Sequence, residues 1–196
     1  MALRSMSDLS MASTTDRSIS AAPAPVRVRL RPTMLSDMEF VLSLEQDDEN
    51  LPFITPWERT QHEAAIRFPD FRHFIIEGGN ALDACGFLIF IGCKSRNRSL
   101  ELKRMVVQDK GIGHGRAALR IAKKVAFDDL GAHRFWLDVK ARNNRAKALY
   151  DSEGFVIEGV LREAVRLADG FESLVVMSML KTEFNLRRGQ ALEVMA

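Results

Sequence analysis

Apolar residues alternate with arginine along Val26-Arg27-Val28-Arg29-Leu30-Arg31. That is the period of a strand with one buried face, and Pro32 ends it. Ser36 and Glu39 stand at capping-box spacing before Phe40, Val41 and Leu44, which predicts a helix. Thr60 and Glu63 repeat that spacing ahead of Ala64, Ala65 and Phe68, so a second, short helix is expected after a loop over 47–56. Two apolar runs, 71–77 and 82–91, flank the turn residues Gly78, Gly79 and Asn80 and read as a hairpin. A further strand is predicted over 100–107. Beyond it, Leu119, Ala122, Ala126 and Leu130 share one helical face, and Gly131 supplies a stop. A strand over 134–139, a helix over 144–152 halted by Gly154, and two strands over 155–161 and 173–180 follow, the last two joined through Asp169-Gly170. The order β-α-α-β-β-β-α-β-α-β-β predicts a single α/β domain of the mixed α+β kind. Its central sheet should be mixed, mostly antiparallel and of about seven strands, with helices on both faces.

Residues 1–25 show no such period and are rich in Ser, Ala, Thr and Pro. A segment of that composition buries too little apolar surface to offset its ordering entropy, so it reads as a disordered tail. The folded domain is expected over 26–181, with 182–196 as a C-terminal extension. Hydrophobic residues make up 46% of the 196, enough for a core. The 28 basic residues face 26 acidic ones, a balance that argues against nucleic-acid binding. No apolar run reaches ~18 residues, so no membrane span is expected. Cys85 and Cys93 match no metal spacing and make a poor disulfide framework, which points to a reducing cytoplasm and to no bound metal.

Candidate chemistry enters at 106–119, VVQDKGIGHGRAAL. A strand runs into Gly111, Gly113 and Gly115, and a helix then begins. Glycines let the backbone approach a ligand closely, and the first amides of a helix lack internal partners. Together with the helix dipole they suit a pyrophosphate. Arg116 falls in the first helical turn, where a cation opposes the dipole and a bound anion would give it a reason. A flexible glycine loop without a ligand is the alternative. The nucleoside-triphosphate loop is excluded because no Gly-Lys-Ser/Thr follows, and the dinucleotide fingerprint because Arg116 stands where its third glycine belongs.

At this turn the sequence resembles the GNAT family of N-acetyltransferases, whose acyl-CoA signature is Arg/Gln-x-x-Gly-x-Gly/Ala. Lys110-x-x-Gly113-x-Gly115 fits one register and Gln108-x-x-Gly111-x-Gly113 the other; the first continues into the helix and is preferred, with Lys110 a departure. A second block, Asn143, Ala146, Leu149, Tyr150, Gly154 and Phe155, resembles the family independently. Within the family the chain looks similar to the branch that acetylates ribosomal-protein N-termini.

The resemblance implies acetyl-CoA as co-substrate, held by Lys110, Gly111, Ile112, Gly113, His114, Gly115 and Arg116. Val106 and Val107 would offer backbone amides to the thioester carbonyl and the pantetheine arm. Asn143 and Lys147 are further candidates for the cofactor. Helix capping by Asn143 and simple exposure of Lys147 are the alternatives. An attacking amine must lose a proton, and Glu101 is the candidate base, with a strand residue paired to a nearby cation as the competing reading. Tyr150, the sole tyrosine, is implied as the acid that protonates the leaving thiolate. The expected acceptor is a primary amine, first a protein N-terminal α-amine. A polyamine, an aminoglycoside-like amine, or a catalytically silent acyl-CoA-binding module are the alternatives. A homodimer is left open.

Overall fold

The computed structural model describes residues 26–193, and side chains to residue 190; the tail expected over 1–25 lies outside the described residues. Seven strands form one sheet in the order β1-β2-β3-β4-β5-β7-β6. They are β1 (Val28–Pro32), β2 (Phe71–Gly78), β3 (Asp83–Ile91), β4 (Ser99–Val107), β5 (Arg134–Lys140), β6 (Val156–Leu167) and β7 (Gly170–Leu180). Every neighbouring pair is antiparallel except β4 with β5, as a mixed, mostly antiparallel sheet requires.

Five helices cover the two faces: α1 (Met38–Glu45), α2 (Arg59–Arg67), α3 (His114–Lys124), α4 (Asn144–Ser152) and α5 (Lys181–Glu193). One core packs Leu88, Phe90, Phe135 and Leu137 against Ala118, Leu119, Ala122 and Phe127 of α3 and its continuation. The other packs Ile75, Phe87 and Ile89 against Met38, Val41 and Leu44 of α1. Among the described residues no helix is long and apolar enough to cross a membrane.

Several local expectations shift. Residues 35–37 form a 3-10 turn ahead of α1, so Ser36 and Glu39 do not make the capping box. The Asp37 carboxylate instead accepts from the Met34 amide at 2.8 Å and pairs with Arg31. α2 begins two residues early. Glu58 caps it and the Gln61 side chain accepts the Glu58 amide at 2.8 Å, in place of Thr60 and Glu63. β2 runs through Gly78, and the hairpin turn falls at 79–82 with Leu82 at φ +56°. β6 reaches Leu167 rather than ending at 161, and β7 starts at Gly170 rather than 173. Register shifts at Ile157/Gly159 and Leu161/Val165 break the alternation there, so period alone underestimates both strands. The stretch after residue 181 is helical, and its Phe184 is buried.

Candidate active site

The one parallel pairing among the described strands makes the site. β4 and β5 are joined only from Ser99 to Glu101 and from Arg134 to Trp136. Past that point the strands part, and β4 keeps β3 on one edge while its other edge has no strand among the described residues. A cleft of about 630 Å³ opens in the gap, within the usual range for ligand pockets. Residues 102–107 and 138–140 form its walls, the glycine turn and α4 its far end, and Asn50 with residues 53–55 its near end.

A bulge in β4 decides which side chains face where. Phe90 stands opposite Leu102 and Ile89 opposite Arg104, leaving Lys103 without a partner on β3. Leu100 and Leu102 therefore join the α3 core, whereas Arg104 and Val106 turn to the α1 side. The sequence period cannot report such an inversion.

At the far end, Gly111 and Gly113 adopt φ +84° and +96°. Gly113 is the N-cap of α3 and has no side chain to close the first turn, so the amides of His114, Gly115 and Arg116 are open. Gly111, Gly113, Gly115, Arg116 and Lys110 all line the cleft. This open amide cradle fits a pyrophosphate. The Arg116 side chain has another partner: its guanidinium donates to Glu153 at 2.8 Å and to Ser152 at 2.9 Å. Arg120 and Lys123 converge on the same carboxylate. Burial would raise the Glu153 pKa, but the hydrogen bonds from Arg120, Lys123 and Arg116 outweigh it and hold the group at about 2. The cation in the first turn thus answers a protein carboxylate. Lys110 lies 3.5 Å from Glu49 and 4.0 Å from Asp47, linking the cradle to the segment after α1.

Val106, Val107 and Asn143 also line the cleft, and the Asn143 side chain caps α4 by accepting from the Ala146 amide at 3.1 Å. The side chains of three expected cofactor residues stand off the wall. Ile112 is 52% exposed to solvent. The His114 ring lies against Gly78, beside Cys85. Lys147 donates back to the Ala141 carbonyl at the start of α4.

Tyr150 is buried, lines the cleft, and its hydroxyl has no hydrogen-bond partner among the described residues. Burial, with a smaller push from the Asp138 charge, raises its pKa to about 12, so the phenol keeps its proton at neutral pH. Glu101 is placed differently. It stands at the joined base of β4 and β5, opposite Ile91 and Trp136, accepts from Lys103 at 3.1 Å, and is not on the wall.

The wall carries Arg104, Asp138 and Lys140, none of which the sequence reading singled out. Asp138 and Lys140 alternate with apolar neighbours and Arg104 follows Lys103, so all three resemble the solvated face of a strand. Arg104 is nearly buried, pairs with Glu45, and donates to the Thr55 carbonyl at 2.8 Å. Glu45 also accepts the Trp57 amide and lies 3.4 Å from His62. His62 meets His73 at 3.0 Å, and His73 meets Thr33 at 2.8 Å. Lys140 donates to the Pro52 carbonyl at 2.9 Å, and Arg142 to the same oxygen at 2.8 Å. The segment over 52–57 is thereby clamped across the near end of the cleft.

A family profile described as an acetyltransferase (GNAT) domain matches residues 27–156. The spermidine N(1)-acetyltransferase of Escherichia coli strain K12 is 21% identical over 173 residues, covering 83% of this chain and 90% of that protein. The crystal structure of spermidine N-acetyltransferase from Vibrio cholerae with CoA and spermine superposes with a TM-score of 0.73 at 23% identity, over 80% of this chain and 97% of that one. A crystal structure of a putative acetyltransferase gives 0.67 at 30% identity, over 81% and 88%. These relatives are spermidine acetyltransferases where their substrate is stated, so the narrower likeness to the ribosomal-protein branch gives way to the family as a whole.

Proposed function

The chain belongs to the GNAT family of N-acetyltransferases, and from that premise we propose that it acetylates a primary amine of a small polyamine of the spermidine class. The protein N-terminal α-amine favoured by the motif likeness becomes the second candidate. The carrying observation is that three things open onto one cleft: an unpaired strand edge, an amide cradle, and a buried tyrosine whose hydroxyl has no partner. Support for a polyamine comes from the relatives that act on spermidine or were solved with spermine. The Arg104, Lys140 and Arg142 side chains donate to the Pro52 and Thr55 carbonyls and hold that segment across the acceptor end.

Bound acetyl-CoA supplies an activated thioester and a thiol leaving group. The chain does the rest. The amides of His114, Gly115 and Arg116 hold the pyrophosphate, and the free edge of β4 around Val106 and Val107 receives the pantetheine arm as an added strand would. An amide on that edge polarises the carbonyl. The Tyr150 hydroxyl then gives its proton to the departing sulfur.

The test is thiol release from acetyl-CoA with spermidine, spermine, N-terminal peptides and aminoglycosides as competing acceptors. Polyamines are expected to be consumed with the highest kcat/KM. Turnover of peptides with none of polyamines would overturn the acceptor.

A further inference from the structure

We infer that Asp138 is the carboxylate that seats the acceptor ammonium and takes its proton, a role that rests on the amine acetylation proposed above. Phe135, Leu137 and Val139 belong to the core under α3. Alternation along β5 therefore turns Asp138 to the opposite face, the one that Arg104 also reaches after the β4 bulge. Asp138 sits two residues past the last β4 pairing, Glu101 with Trp136, where the gap has opened. It lines the cleft.

The nearby carboxylates each stand beside a cation. Glu45 holds Arg104, Glu101 holds Lys103, Glu153 holds three cations, and Glu172 lies 3.2 Å from Arg142 and 3.9 Å from Lys140, although neither of its oxygens accepts a hydrogen bond among the described residues. Asp138 has no ion pair and no hydrogen bond among the described residues, although it is partly buried. A carboxylate drawn out of water without a partner is unfavourable, and a cationic ligand removes the penalty. Asp109 is the other unpaired carboxylate on the wall, but it precedes the amide cradle, where phosphate is expected.

Asp138 also stands close enough to act electrostatically on both Arg104 and Tyr150. That location puts it between the acceptor end and the acid. The charged and titratable groups around it are Lys103 and Arg104 from β4, Lys140 from its own strand, Tyr150 from α4, Glu45 from α1 behind Arg104, and Glu172 from β7 beside Lys140.

The proton count closes with this assignment. The ammonium gives one proton to an Asp138 oxygen. As the new C–N bond forms and the C–S bond breaks, the sulfur keeps the electron pair and takes the Tyr150 proton. The nitrogen loses its second proton to the phenolate, and Asp138 returns its own to water, so one proton is released per turnover. Neutralising Asp138 in the first step also removes the negative charge that disfavours ionisation of Tyr150, so deprotonating the amine readies the acid.

Asp138→Asn keeps the shape and deletes the charge. Calorimetry of spermidine binding to the CoA-loaded protein should show at least a tenfold loss for this variant, with CoA affinity unchanged. Turnover should fall by ~10²–10⁴-fold, and the acidic limb of the kcat/KM profile should move. Asp138→Glu, which keeps the charge, should regain spermidine binding. Wild-type spermidine binding in Asp138→Asn with an unmoved acidic limb overturns the assignment, as does a loss that follows Glu101→Gln instead. If the wild type turns over another amine and no polyamine, the acceptor reading fails separately. Asp138→Asn must then lose binding of that amine, or the role fails too.

Discussion

Tyr150 shows how burial sets chemistry at one residue. Its ring packs near Phe155, with centroids 5.8 Å apart, and its hydroxyl faces the cleft without a partner. Tyr150→Phe keeps that packing and removes the proton donor. We expect normal folding, unchanged CoA affinity by calorimetry, and turnover lower by ~10²–10⁴-fold. A change confined to KM would instead mark uniform binding. His73 carries a different signature. Burial, reinforced by His62, drives its pKa down to about 3, against an ordinary value of 6.5. Between those values the unfolded chain binds a proton that the folded one refuses. Stability from this group is therefore complete above pH ~6.5 and falls as the pH drops, at up to ~1.4 kcal/mol per pH unit. Chemical denaturation at pH 7.5 and 5.5 should show the loss, and His73→Gln should flatten it. Glu153 and Asp37, whose pKa values are lowered, keep their stabilisation above the ordinary carboxylate values and lose it only as the pH falls below them, so they add nothing to the change between those two pH values.

The glycine turn and α3 were legible as an element because three local signals agree. Glycines at alternate positions, an apolar helical stripe and Gly131 at φ +64° all say the same thing. What the turn does to the backbone yields a prediction at the same scale. Gly113 has φ +96°, and an added Cβ would meet Val26 at 3.0 Å. Gly113→Val therefore strains the cap and crowds the cradle. Calorimetry should show CoA binding weakened by tenfold or more in a variant whose circular dichroism is unchanged. Unaltered affinity would separate the amides from the pyrophosphate. The β4 bulge, by contrast, was not legible. Lys103 is one polar residue among others in an alternating strand, and only pairing with β3 shows that it has no opposite number. The bulge turns Arg104 to the wall, whereas Asp138 faces the same way by the alternation of β5 and lines the cleft only because β4 and β5 part there, so neither was singled out. The partner of the Arg116 side chain was hidden for a related reason: Glu153 is 37 residues away, joined to it by the packing of α4 on α3.

At the scale of the molecule the order of strands was readable, since each hairpin and each strand-helix unit is local. The parting of β4 from β5, which creates the cleft, is a contact between strands separated by a whole helix and carries no local mark. The C-terminal end was likewise hidden. α5 has little amphipathic pattern, yet its Phe184 is buried and stacks on Phe127 with centroids 4.8 Å apart. Lys181 adds a hydrogen bond to the Phe127 carbonyl at 2.7 Å. The two ends of the chain should therefore respond in opposite ways to shortening. Starting the protein at residue 24 removes a Ser- and Ala-rich stretch with no helical or strand period, and the melting temperature and thiol-release rate should hold. Ending it at Lys181 uncovers Phe127, and Phe184→Ala alone should cost ~3–5 kcal/mol. Denaturant titration reads both changes, with Phe184→Leu as the milder control. A Phe184→Ala variant as stable as wild type would mean that α5 rests on the core without contributing to it. The same titration should leave CoA affinity untouched under native conditions, because the Phe127 and Phe184 ring stack lies apart from the residues that wall the cleft.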